Sequence, residues 1–167
     1  MNKRVAAKDA IGMYYLGSGY YHGLKGFPKD INKALELFHR AGELGCTEAY
    51  NNMGYAYYNG EGVKVDEEKA KHYWVLGAIG GDTTARHTLG EDEEDAGDVD
   101  RALKHYMIAA EDGNSDSLNR IKDLYLNEIA TKEDYSKALQ SYRKYLHEIE
   151  SSQRDEAAAI FENHRYH

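Results

Sequence analysis

Tyrosine and asparagine are the side chains of this 167-residue chain best suited to contact chemistry, and fifteen tyrosines are present. Phenol rings offer large contact area at low entropic cost, and amides read backbone groups. Groups suited to covalent or metal chemistry lack the spacing that chemistry needs. The eight histidines (His22, His39, His72, His87, His105, His147, His164 and His167) form no His-x-x-x-His pair and no HExxH string. Cys46 is the only cysteine, so no Cys-x-x-Cys exists. Solvated helix faces account for the histidines, and no metal site is expected. Gly77-Ala-Ile-Gly80-Gly81-Asp82 and Gly17-Ser-Gly19 are neither GxGxxG nor GxxxxGK[ST], so glycine there answers to helix packing and helix ends. No nucleophile elbow or activated-cysteine context occurs, so no catalytic residue and no cofactor is expected. The crowded carboxylates Glu91–Asp95 are unlike a pair placed for acid–base work. They read as a solvated acidic turn; the alternatives are an electrostatic patch for a basic partner or a weak divalent-cation site.

Composition narrows the classes further. Hydrophobic residues make up 41% and charged residues 30%, the balance of a folded chain. Proline occurs once, as Pro28, and abundant Ala, Leu, Glu, Lys and Tyr favour helix over strand. The formal charge is −8, and Glu91–Asp100 alone holds seven carboxylates. Phosphate-binding proteins need a basic face, so nucleic acid and anionic membrane are poor partners. A lone cysteine rules out an intramolecular disulfide framework and suits a reducing compartment. The N-terminal MNKRVAAKDAIG has no apolar run of the signal-peptide kind, and nowhere do 18 apolar residues follow one another. A cytoplasmic location is expected.

The elements that position these side chains come from an internal repeat. A basic residue followed by alanine recurs at Lys33-Ala34, Lys69-Ala70, Arg101-Ala102 and Lys137-Ala138, at spacings of 36, 32 and 36. Four residues after each alanine stands an aromatic: Phe38, Trp74, Tyr106 and Tyr142. Gly45, Gly81 and Gly113 are each followed four positions on by a small residue, Ala49, Ala85 or Ser117. Each unit reads as two antiparallel helices. In the second, a helix over about 47–58 breaks at Asn59-Gly60-Glu61-Gly62, and Asp66 caps the next. Other helix starts fall at Asp30 or Asn32, Asp82 or Thr83, Asp98, and Thr131, where Thr131-x-x-Asp134 is close to a capping box. The alanines let helix backbones approach, and each aromatic fills the adjacent groove. The third unit is shorter between its helices, which predicts a shorter or frayed first helix with the acidic run on a solvent-facing turn. A long terminal helix over about 132–162 follows, unless Ser151-Ser152 breaks it.

The string Ala49…Met53-Gly54…Tyr57…Gly60-x-Gly62-Val63…Asp66…Lys69-Ala70…Trp74…Ala78…Gly81…Ala85 resembles the Sel-1-like repeat, a relative of the tetratricopeptide repeat. The resemblance implies an all-α, right-handed α/α superhelix of about four helix-turn-helix repeats whose first helices line a concave face. On this reading residues 1–167 form one domain, with repeats near 10–46, 47–82, 83–114 and 115–149 and a C-terminal cap over 150–167. Only about nine residues precede the expected first repeat helix, as in a fragment of a longer chain. The family generally supplies adaptors in signalling, quality control and complex assembly. A cysteine-rich branch has been linked to β-lactam binding or hydrolysis, but it pairs cysteines within each repeat and Cys46 stands alone.

If first helices face the concave side, the exposed groove residues are Tyr14, Ser18, Tyr21, Asn51, Tyr55, Tyr58, His87, Glu91, Asn119 and Asp123. The competing assignment packs several of these tyrosines between hairpins with their hydroxyls at the rim. No ring of Lys or Arg suggests a clamp on a terminal carboxylate. The expected activity is therefore non-enzymatic: an adaptor binding a peptide or helix of another protein, with the acidic third repeat steering a basic one. The alternatives are a purely structural or truncated stack and, further off, a hydrolase. A monomer is expected, with end-to-end pairing of two copies open.

Overall fold

The computed structural model describes the backbone of residues 3–24 and 26–163, with side chains described over 9–156 apart from Lys25 and Arg154. His164 and His167, and part of the expected cap, lie outside the described residues. Eight helices follow one another with no strand among the described residues: α1 (Lys3–His22), α2 (Ile31–Glu43), α3 (Thr47–Asn59), α4 (Glu67–Ile79), α5 (Thr83–Asp95), α6 (Val99–Glu111), α7 (Ser115–Leu126) and α8 (Lys132–Asn163). Consecutive helices pair as α1–α2, α3–α4 and α5–α6, and each pair stacks on the next. The first helix starts earlier than the repeat pattern predicts.

Side-chain caps set most helix starts. Asp30, Asp66, Asp82, Asp98 and Asn114 each accept the backbone N–H three residues on, at 2.6–3.1 Å. Each cap satisfies one amide that the first turn leaves without an intrahelical partner. At α8 the Thr131 hydroxyl accepts from Asp134 N–H (3.1 Å) while the Asp134 carboxylate accepts from Thr131 N–H (3.0 Å), a complete capping box.

The recurring aromatics do more than fill a groove. In the first three pairs the ring lands on a glycine of the preceding first helix, and the register follows from that. A Cβ at Gly17 would lie 2.9 Å from the Phe38 ring, and one at Gly90 would lie 2.5 Å from Tyr106. At Gly54 it would overlap the Trp74 indole. Without a side chain on one helix, the ring of the other rests directly on its backbone. Ala34, Ala70, Ala102 and Ala138 sit buried one turn before these rings. In the fourth pair the glycine is replaced by Lys122, and Tyr142 is only half-buried. The core is accordingly a string of clusters along the stack, one around Phe38 and Met53, one around Trp74 and Leu89, one around Tyr106 and Ile121.

Two expectations need correction or completion. The first helix of the third unit is neither shorter nor frayed: α5 has 13 residues, as α3 does. The shortening falls in the turn, where Ala96-Gly97-Asp98 replaces the longer 60–66 loop. Glu91–Asp95 thus closes a helix rather than forming a loop, and Glu93 is 7% exposed. The terminal helix is continuous across Ser151-Ser152, where the Ser152 hydroxyl donates to the Glu148 carbonyl (3.0 Å). Its N-terminal half packs on α7 and α6.

Candidate functional site

Four carboxylates in the last turn of α5 sit at the negative end of the helix dipole with no basic residue in that turn, an arrangement that opposes helix stability on its own. Neighbouring helices compensate. Lys71 of α4 donates to Asp92 (2.7 Å) and Glu93 (3.0 Å), and Arg101 of α6 reaches Glu93 at 3.4 Å. Arg120 of α7 forms a two-pronged pair with Glu94, its Nε donating to Oε2 at 2.9 Å and its Nη2 to Oε1. The Tyr106 hydroxyl donates to the same Oε2 (3.0 Å). These bonds hold the Glu94 carboxyl below the usual carboxylate range, against its partial burial. Burial and the Glu94 charge together push the Tyr106 phenol up.

Beside this acidic end lies a cavity of about 380 Å³, open to solvent on one side. Tyr55 and Tyr58 of α3 and Trp74 of α4 form one wall, and Thr88, Glu91, Asp92, Glu94 and Asp95 of α5 face them, with Arg120 at the rim. The Trp74 ring lies 5.5 Å from Tyr55 and 5.6 Å from Tyr58, so three aromatic rings make one corner. Thr88 donates its hydroxyl proton to the Thr84 carbonyl (3.1 Å), and Tyr55 donates to the Thr88 oxygen (2.9 Å). The Tyr55 ring is therefore fixed, whereas Tyr58 is 46% exposed. The arrangement joins apolar ring faces to a negative potential, which suits a cationic or amphipathic group.

The groove residues expected from the sequence divide. Tyr55, Tyr58 and Glu91 meet in this cavity. His87 stands next to it, paired with Ser117 (2.8 Å) and stacked near Tyr106 (5.3 Å). Tyr14 and Tyr21 instead lie on Phe38, each with ring centres 5.9 Å away, and burial together with the Glu61 carboxylate raises the Tyr21 phenol. Ser18 is half-buried on α1, while Asn119 and Asp123 are exposed on α7, outside the cavity. Asn51 was expected exposed and is not: it is 9% exposed, with its side-chain oxygen unpartnered. Helical periodicity places it on the inner side of α3, one turn from Gly54.

Sequence reasoning missed Trp74 and Arg120 as parts of a site. Trp74 was legible as the repeat aromatic, and at 3% exposure it backs the cavity from the core. Nothing local links Arg120 to Glu94 across the intervening residues. Among the described residues, no group of three or more His, Cys, Asp or Glu could hold a metal ion. No helix among them is long and apolar enough to cross a membrane.

An all-helical stack of paired helices, with glycine-seated aromatics in the first three pairs, defines a tetratricopeptide-like repeat solenoid. The sequence model of the Sel1 repeat matches residues 10–46, 47–82 and 89–114, more than half of the chain, and the chain belongs to the Sel1 repeat family. That match leaves out residues 115–149, where α7 and the start of α8 form a further helix pair. Two solved structures share the fold. A Sel1 repeat protein from Oxalobacter formigenes aligns with a TM-score of 0.69 and 28% identity over 81% of this chain and 58% of its own. A protective antigen of uropathogenic Escherichia coli with the same repeat fold aligns at 0.66 and 29%, over 89% and 33%.

Among curated proteins, the chain is 34% identical over 83 residues to an ERAD-associated E3 ubiquitin-protein ligase component of Arabidopsis thaliana. It is 36% identical over 70 residues to cytochrome c oxidase assembly factor 7A of Xenopus laevis. The alignments cover 49% and 42% of this chain but only 13% and 30% of those relatives. The family typically provides scaffolds for protein interaction and assembly.

Proposed function

We propose that this chain is a non-catalytic protein-binding scaffold that holds a peptide or helix of a basic partner on the concave face formed by α3, α5 and α7. The observation that carries this reading is the solvent-open cavity where Tyr55, Tyr58 and Trp74 meet the acidic end of α5. Anchor pockets of this kind, with aromatic area surrounded by polar groups, supply most of the affinity at protein interfaces. The net negative charge of the chain would speed capture of a positive partner. Its lone cysteine favours work in the cytosol.

The test is selection from a random displayed peptide library, with each enriched peptide then titrated against the wild type and a Tyr58→Ala variant. Tyr58 is half in solvent, so the variant keeps its helices, which circular dichroism checks. Peptides that bind the wild type and lose affinity for the variant support the reading. A library that yields no binder refutes it.

A structural stack with no dedicated ligand is favoured by one observation: Tyr14 and Tyr21 use their rings on Phe38 rather than on an open surface. It predicts the empty library.

A further inference from the structure

We propose that the Tyr55–Tyr58–Trp74 cavity is an anchor pocket for a single arginine of the bound segment, its guanidinium stacked on the exposed Tyr58 ring and bridged to Glu91 and Asp95. This assignment rests on the scaffold reading and adds the chemistry of the group that enters. Charge pairing inside the cavity selects the sign. Asp92 is neutralised by Lys71 at 2.7 Å and Glu94 by Arg120. Glu91 has only His87 as a basic neighbour, at 3.6 Å, and Asp95 has no Lys, Arg or His within ion-pair distance among the described residues. These two carboxylates stand four residues apart on α5, so they project side by side from one helix face. Both line the cavity, and the C-terminal end of the α5 dipole adds to their potential.

Geometry selects arginine over lysine. The pocket already stabilises one guanidinium, since Arg120 sits at its rim with both prongs on Glu94. A second planar fork can lie flat on the ring wall while its N–H groups reach Glu91 and Asp95; a compact ammonium satisfies one carboxylate and stacks less well. Arg120 and Glu94 both line the pocket, and their ion pair takes up the Glu94 charge. The Glu94–Arg120 pair is therefore a wall of the site rather than a competitor for it.

Trp74 is the only tryptophan, so its emission reports this pocket alone. The probes are blocked pentapeptides, acetyl-Ala-Ala-Xaa-Ala-Ala-amide, with arginine, lysine or the neutral isostere citrulline at the centre. The arginine peptide is expected to give a saturable change in Trp74 emission that weakens with added salt. Citrulline should bind about tenfold more weakly, with lysine between the two. The double variant Glu91→Gln with Asp95→Asn removes neither a core contact nor a cap, and should weaken the arginine peptide by about tenfold at unchanged helicity. Equal response to citrulline, undiminished affinity in the double variant, or no saturable change up to about 10 mM overturns the proposal. Library peptides that need Tyr58 but carry no arginine would overturn it while leaving the scaffold reading intact; a library with no binder would overturn both.

Discussion

Replacing Gly54 by alanine should destabilise this protein even though alanine is the better helix former. A methyl at Gly54 would press into the Trp74 indole, with Cε2 at 2.8 Å and both Nε1 and Cδ1 closer still. The indole cannot retreat, because Trp74 is 3% exposed and held between Tyr55 and Tyr58. Overpacking of this kind costs about 1–3 kcal/mol. Relief of the glycine penalty in a helix returns about 1 kcal/mol. The net loss is up to about 2 kcal/mol, or a fall of up to about 8 °C in Tm for a chain of this length. Gly12 on α1 is the internal control, since a Cβ there meets nothing within 4 Å. Gly12→Ala should raise stability by up to about 1 kcal/mol. Thermal melts followed by circular dichroism and by Trp74 emission compare the two. A Gly54→Ala variant that melts at or above the wild type would refute the claim that glycine seats the ring.

Four further outcomes follow from the same physical arguments. Asp66→Ala removes the cap on Lys69 N–H (2.9 Å) and should cost about 1 kcal/mol in urea unfolding, with an unchanged slope. Glu128 has φ +61 in the turn before α8, so Glu128→Gly should stabilise by about 1 kcal/mol, and a loss of stability would show that its side chain matters more than its backbone. Arg120, and then Tyr106, hold the Glu94 carboxyl below its usual range. The stability this contributes is complete above the unfolded carboxylate value of about 4.3, and it is lost as pH falls through the lower folded value. Unfolding from pH 6 to 3 should therefore weaken the wild type more than Glu94→Gln, and identical pH profiles would contradict the pairing. Burial, helped by the Glu48 carboxylate, pushes the Cys46 thiol up to about 11. At pH 8 a disulfide reagent should label Cys46 far more slowly in the native protein than in denaturant, and equal rates would mean the site is open.

The helix pairs were legible in the residues because they are encoded by short-range rules. Asp66, Asp98 and Thr131 announce helix starts through bonds spanning three residues, and the Ala-x-x-x-aromatic step announces a packed face. The third unit was misread for the same reason. Its acidic run looks like a turn by composition, yet it folds as helix because Lys71, Arg101 and Arg120 on three other helices pair with Asp92, Glu93 and Glu94. Asn51 likewise carries a surface residue type on an inner face.

Repeat register, the capped helix starts and the identity of the ring-bearing positions were thus determined by the sequence alone, since each depends on neighbours within one or two helical turns or on the next copy. Only the tertiary structure decided that Phe38, Trp74 and Tyr106 rest on glycines, and that Tyr55, Trp74, Glu91 and Arg120 share one cavity. The cavity joins side chains from four helices of three successive repeats. Their meeting depends on how far each helix pair rotates on the next, and close packing between pairs, as where Gly42 meets Tyr50 and Gly77 meets Ala85, fixes that rotation through distances that no local pattern in the chain encodes.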